Sequence, residues 1–124
     1  MKRLIAAIVL LAVVIGLSVS SAITTNRCYY ALTGKIEEIE AIYENKESTE
    51  KQLSALKDYW EKTEPVLMFF ANHGAVEEIG IRIDRLVSLS DTDEESAFKT
   101  EAVELKSRLK YLKDSESLTF ESVF

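Results

Sequence analysis

The chain has 124 residues, of which 47% are hydrophobic, and a formal net charge of −6. This length holds one modest domain beside a membrane segment but no second domain. An acidic chain is repelled by nucleic acids and by anionic lipids, so the charge argues against both as partners. The only cysteine cannot form an internal disulfide, so packing alone must stabilise the fold.

The first predicted element is an apolar segment, Leu4 to Ile23, which has no charged residue and follows Lys2 and Arg3. Roughly 20 apolar residues at about 1.5 Å rise per residue cross a hydrocarbon core of about 30 Å, and basic residues stay on the cytoplasmic side. The pattern predicts a membrane anchor over residues 1–23 and a domain over residues 24–124 outside the cytoplasm.

A secretory signal peptide is the alternative interpretation of the same segment. Ser20 and Ala22 have the small-residue spacing of a signal peptidase site, and Gly16 precedes them as a helix breaker. Cleavage after Ala22 would release a secreted domain. The uncleaved anchor is favoured because Val19 and Ile23 extend the apolar run to spanning length.

Cys28 lies just outside the predicted span. If it faced a second copy of the chain, it could link two anchors covalently. The favoured interpretation is a reduced, apolar residue packed beside Tyr29.

The next residues predict a first outer helix that continues the anchor without a break to about Glu44. Apolar residues recur every three or four positions, as on one face of a helix: Tyr29, Leu32, Ile36, Ile39 and Tyr43. A polar gap follows, and Thr49 with Gln52 has the spacing of a capping box at the start of a second helix.

The second helix is predicted from the stripe Leu53, Leu56, Trp60, Thr63, Leu67 and Phe70. The stripe keeps its phase through Pro65, so a kink is expected and not a stop. Residues 66–71 are apolar all round the helix and are predicted to form the centre of the core. Asn72, His73 and Gly74 should end the helix, with Gly74 as a left-handed cap.

Residues 75–89 fit a third helix, although Ile79, Ile81 and Ile83 also alternate as in a strand. Length favours the helix. Gly80 is expected to let a neighbouring helix approach closely.

Thr92 and Glu95 repeat the capping-box spacing and predict the start of a fourth helix. Its apolar stripe is Phe98, Ala102, Leu105, Leu109 and Leu112. After Asp114 the sequence is apolar in an irregular way and predicts an extended tail that folds back onto the helices. The fold class is therefore all-α: an N-terminal transmembrane helix that continues into a small up-and-down bundle with an extended apolar C-terminal tail.

Few residues of the sequence are candidates for catalysis or metal binding. His73 is the only histidine, and zinc needs three or four ligands, so a histidine that caps helix carbonyls is the better interpretation. The acids at 91–95 lack the glycine and the terminal glutamate of a calcium loop and are typical of a helix N-terminus. No cofactor or metal is predicted, and the chain is not expected to be an enzyme. The candidate interaction or ligand positions are Trp60, Phe69, Asn72, His73 and Phe124.

The Trp60 helix, the Asn72-His73 helix end and the apolar ending at Val123 and Phe124 resemble a family of uncharacterised proteins. The resemblance implies a small single-span membrane protein of Gram-positive spore formers, and it implies no reaction. The chain is predicted to be a single-pass cell-membrane protein with a cytoplasmic N-terminus. Its outer domain is expected to bind an unknown protein partner or to self-associate. The alternative is a small-ligand-binding or sensing domain, which would be secreted if the signal peptide were cleaved.

Overall fold

The computed structural model describes the backbone of residues 1–123 and every side chain among them except those of residues 70 and 116–123. Four helices follow one another: α1 (Lys2–Glu44), α2 (Glu50–Phe70), α3 (His73–Ser90) and α4 (Glu95–Val123). Each helix packs on its neighbour in the chain, and α4 also packs on α1. The described residues form a bundle-like all-α fold without strands, as predicted, and residues 75–89 are helical.

Helix α1 joins the apolar segment to the bundle without interruption, as the sequence predicted. The side chains of residues 2–17 are exposed, whereas Cys28, Leu32, Ile36 and Ile39 in its second half are buried. In length and composition α1 is a candidate membrane span. One helix therefore supplies both a candidate anchor and one wall of the core.

The core lies between the apolar stripes of the four helices. The ring of Phe98 in α4 is completely buried and stacks on Tyr43 of α1, with 3.9 Å between ring centres. The fully buried aliphatic side chains of the core include Leu56, Leu67, Ile79, Ile83, Leu86 and Leu105. Pro65 lies within α2 and does not end it.

Gly80 marks the closest approach of α2 to α3. A Cβ atom at this position would lie 3.1 Å from Nε1 of Trp60, which is tighter than ordinary packing. The expectation that Gly80 admits a neighbouring helix is confirmed, and the neighbour is the indole of α2.

Two ion pairs tie α4 to its neighbours. Nη1 of Arg82 in α3 donates to both carboxylate oxygens of Glu101, at 3.2 and 3.3 Å, while its Nε donates to Glu78 at 3.0 Å. Nζ of Lys106 lies 2.6 Å from Oε1 of Glu40 in α1. These contacts fix the register of α4 between α1 and α3.

Residues 66–71 were predicted to form the centre of the core, and that prediction is wrong. Leu67 is fully buried, but Val66 is 44% exposed and Phe69 is 77% exposed. A helix in a bundle of this kind is covered on the side that faces its neighbours. A helix segment that is apolar on every face therefore keeps an apolar surface on the side that faces away from its neighbours.

The predicted left-handed cap at Gly74 is also wrong. No glycine of residues 1–123 has a positive φ. Helix α2 ends at Ala71 in extended conformation, and Gly74 lies in the first turn of α3. Two residues separate the helices, and the chain reverses through this short extended link.

Neither predicted capping box forms. Thr49 does precede α2, but its side chain makes no capping hydrogen bond, and Oε1 of Gln52 is buried without a partner. Thr92 donates to the carbonyl oxygen of Leu89 at 2.8 Å, and α4 begins three residues later at Glu95. Spacing located the helix starts to within a few residues but did not identify their hydrogen bonds.

The extended C-terminal tail is not observed, because the backbone of α4 stays helical to Val123. The segment after Asp114 contains neither glycine nor proline, so nothing in it interrupts the helix. Whether its apolar side chains pack on the other helices, as predicted, lies outside the described residues.

Candidate functional site

The link between α2 and α3 positions two of the candidate residues. Oδ1 of Asn72 accepts a hydrogen bond from the amide of Ala75 at 3.1 Å and so caps the start of α3. Nε2 of His73 lies 2.7 Å from the carbonyl oxygen of Met68, and this contact requires the proton on Nε2. The prediction that His73 caps a helix carbonyl is confirmed, so its imidazole has a structural role.

The structure does not gather the candidate residues into one groove. Trp60 is 3% exposed and faces Gly80 in the core, whereas Phe69 is exposed. Nine residues separate the two, which is half a turn beyond two full turns, so they lie on opposite faces of α2. Only Phe69, Asn72 and His73 share the corner between α2 and α3. Phe124 lies outside the described residues.

An aromatic and basic cluster near the apolar segment was missed by the sequence analysis. Tyr29 and Tyr30 meet edge to face with 5.2 Å between ring centres. Nζ of Lys113 in α4 lies 4.8 Å from the centre of the Tyr29 ring and 5.0 Å from that of Tyr30. The position of two tyrosines shortly after an apolar segment was the available signal, since tyrosines are enriched at membrane interfaces.

A polar cleft, which we call the distal cleft, lies at the end of the bundle opposite the apolar segment. It has a volume of about 630 Å³ and lies between the α1–α2 and α3–α4 connections. Its lining includes Lys46, Glu47, Lys57, Asp91 and Asp93. Within the described residues, no three acidic, histidine or cysteine side chains are grouped to hold a metal ion. The distal cleft therefore offers charges of both signs to a polar partner.

Cys28 is a buried free thiol, 1% exposed, on the core face of α1. Burial disfavours the thiolate and raises the pKa of Cys28 to about 12, from a usual value near 9. The structure therefore supports the reduced, packed cysteine, and a direct link between two copies through this thiol would require α1 to leave the core.

We expect native Cys28 to resist maleimide labelling at pH 8 and to react fully once the chain is unfolded. Below about pH 9 the thiol is protonated in both states, and its stabilising effect is intact. As the pH rises from about 9 to about 12, the unfolded state ionises first and stability falls. Chemical unfolding across this range measures the loss.

Cys28→Ala is the matched control for this experiment, because it retains the lysines and tyrosines that titrate in the same range. The pH-dependent loss should be smaller in the variant than in the parent chain. Rapid labelling of the native parent protein would contradict the assignment of Cys28 to the core.

Comparison with known proteins gives a family but no activity. No curated protein and no solved structure matches the sequence significantly. Residues 19–123 match a family model described as a domain of unknown function, DUF4363. The match begins near the end of the apolar segment and covers the whole bundle, so the fold described above corresponds to the family's domain. The chain therefore belongs to the DUF4363 family of unknown function.

Proposed function

We propose that the chain is a single-pass membrane protein with a cytoplasmic N-terminus and an outer domain that acts by binding a protein or by self-association. The observation that supports the proposed anchor is the surface of α1 between residues 4 and 17. Large aliphatic side chains are exposed all round this part of the helix, among them Leu4, Ile8, Leu10 and Val13. Surfaces of this kind are typical of contact with lipid and not with water.

The continuity of α1 supports a domain that is held rigidly above the membrane. The buried stripe from Cys28 to Ile39 belongs to the same helix as the apolar segment. With Lys2 and Arg3 in the cytoplasm, the bundle lies outside and the distal cleft points away from the bilayer. An anchored domain of this shape presents its far end to other proteins at a fixed height.

The distal cleft is the surface that we assign to the partner. Two lysines and five carboxylates line it, and this mainly acidic set of charges suits a polar protein surface whose exposed charges are mainly basic. This role is non-enzymatic, because it needs complementary shape and charge and no reacting group. The domain then serves as a fixed attachment point.

Small-ligand binding or sensing is the second candidate function, and the same cleft favours it. Its volume of about 630 Å³ lies in the range of small-molecule sites, about 300–1,000 Å³. Most such sites have more apolar linings, which makes the protein partner the better proposal. Titration of the purified chain with polar metabolites, followed by thermal shift, separates the two.

The anchor is tested by the location and mass of the mature protein. We expect the intact 14.0 kDa chain to remain in membranes after alkaline carbonate extraction. Protease added outside should digest the domain and spare the apolar segment. A shortened chain in the medium, cut after Ala22, would refute the anchor and indicate a secreted domain.

The partner surface is tested by photo-cross-linking from an introduced cysteine in intact membranes. Ser54 is exposed and lines the distal cleft, whereas Ser107 is exposed on α4 and is not among the residues that line it. Ser54→Cys should give a defined adduct, either a dimer or one partner, and Ser107→Cys should not. Monomer alone in both variants, with the domain folded, would count against interaction through this cleft.

A further inference from the structure

The end of the bundle nearest the apolar segment carries an exposed apolar surface. It consists of Pro65, Val66 and Phe69 at the end of α2, and we call it the Phe69 patch. Phe69 is 77% exposed and Val66 is 44% exposed. An exposed phenylalanine in a small domain marks a contact surface when it lies beside other apolar side chains.

We propose that the Phe69 patch rests on the outer leaflet of the membrane that α1 spans, with Phe69 inserted among the lipid headgroups. The proposal rests on the membrane anchor proposed above and adds a second contact with lipid, made by the bundle itself. The occupant of the patch is the interfacial layer of the bilayer.

The contact between α1 and α2 gives the level of Phe69, by which we mean the residue of α1 that lies at the same height along the bundle. Nζ of Lys35 in α1 lies 5.6 Å from the centre of the Tyr59 ring in α2. The two helices are joined by a short connection and run in opposite directions, so ten residues forward in α2 correspond to ten residues backward in α1. Phe69 therefore lies at about the level of Thr25.

The bilayer has its headgroups at the same level. If Leu4 to Ile23 fills a hydrocarbon core of about 30 Å, the headgroup layer on each side adds about 5–7 Å. This thickness corresponds to about three to five helical residues beyond Ile23. Thr25 and Phe69 both fall within that layer.

Two tyrosines of α1 and one lysine of α4 lie close to this layer. Lys113 lies over the rings of Tyr29 and Tyr30, one turn of α1 beyond Thr25. Tyrosines are enriched at the membrane interface, and lysine places its ammonium group among phosphates while its stem stays in apolar surroundings. The membrane side of the bundle thus has the residue types of an interfacial belt.

The contact is apolar and not electrostatic. Among the described side chains near this level, the exposed base Arg27 and the half-buried Lys113 are balanced by the exposed acids Glu77 and Asp114. The whole chain has a net charge of −6. Anionic lipid is therefore not required, and the contact should form on neutral phosphatidylcholine and persist at high salt.

The test is an environment-sensitive fluorophore on Phe69→Cys in the full chain, reconstituted in phosphatidylcholine vesicles. Cys28 is buried, so the probe reacts with the introduced cysteine. Val103→Cys is the matched control: Val103 is 57% exposed, and the ion pair between Lys106 and Glu40 places it far from the membrane. That distance is about 30 Å beyond Ile23 at 1.5 Å per residue. Leu10→Cys, measured with lipids that carry the quencher in the acyl chain because Leu10 lies inside the predicted hydrocarbon core, reports whether α1 is inserted.

We expect the probe at position 69 to show a blue shift and to lose most of its emission to lipids that carry a quencher near the headgroup. The probe at position 103 should show neither effect, and high salt should change neither result. Probes at 69 and 103 that behave alike, while position 10 is quenched, would refute the lipid contact and leave the anchor standing. An unquenched position 10 would refute both proposals.

A second copy of the chain is the rival occupant of the patch, and the same samples identify it. In that case the probe at position 69 would be shielded from water without quenching by lipid, and dilution of the protein in lipid would remove the shielding. This result would overturn the proposal. Val66→Cys provides a second attachment point if the probe at Phe69 perturbs the fold.

Discussion

Replacement of Phe98 by alanine is expected to remove about 3–5 kcal/mol from the free energy of unfolding. Phe98 is completely buried, and its ring stacks on Tyr43 where α4 meets α1. Alanine would leave a cavity between the two helices and remove the ring contact. Since small domains have total stabilities of about 5–15 kcal/mol, the loss is a large part of the whole.

Trp60 provides the measurement, because it is the only tryptophan and is buried in the core. Guanidinium unfolding of the full chain in detergent, followed by the emission of Trp60, gives the free energy of each variant. Val103→Ala is the control, since Val103 lies in the same helix with an exposed side chain. Equal losses for Phe98→Ala and Val103→Ala would show that this part of α4 does not form the core.

Gly80→Leu is expected to destabilise the bundle by separating α2 from α3. A Cβ atom at position 80 would already lie 3.1 Å from Nε1 of Trp60, and a leucine adds three further carbon atoms there. Overpacking of this kind costs about 1–3 kcal/mol. The better helix propensity of leucine offsets up to about 1 kcal/mol of that cost.

Gly34→Leu is the matched control for the same substitution. Gly34 lies in α1, and no atom would come within 4 Å of a Cβ placed there. The leucine at position 34 gains helix propensity without a clash, so its stability should equal or exceed that of the parent chain. The two variants should therefore differ in sign. A loss of similar size in both would mean that backbone propensity, and not contact with Trp60, explains Gly80.

The helices could be predicted from the sequence because each apolar stripe keeps one phase. The stripe from Tyr29 to Tyr43 continued the apolar segment, and α1 is indeed one helix. The position of Gly80 in a predicted helix indicated a close approach, and Trp60 is found there. Local periodicity determines such features, so a single sequence contains them.

The exposure of residues 66–71 could not be predicted, because it depends on what surrounds the end of α2. The sequence shows that Val66 and Phe69 are apolar, but it does not show where the neighbouring helices stop. The hydrogen bonds of Thr49 and Asn72 also depend on the geometry of each link between helices. The capping-box rule predicted a hydrogen bond at Thr49 that does not form, and it did not predict the one that Asn72 makes. The candidate site residues were chosen by type, and their distribution over opposite faces of α2 appeared only with the fold.

The unbroken α1 has a mechanical consequence. The helix extends 21 residues beyond Ile23, a lever of about 32 Å at 1.5 Å per residue. Transmembrane helices tilt by about 20° on average, and such a tilt would carry the far end of this lever sideways by about 11 Å. Since tilt depends on the thickness of the hydrocarbon layer, a change in bilayer thickness would move the distal cleft of an anchored chain sideways.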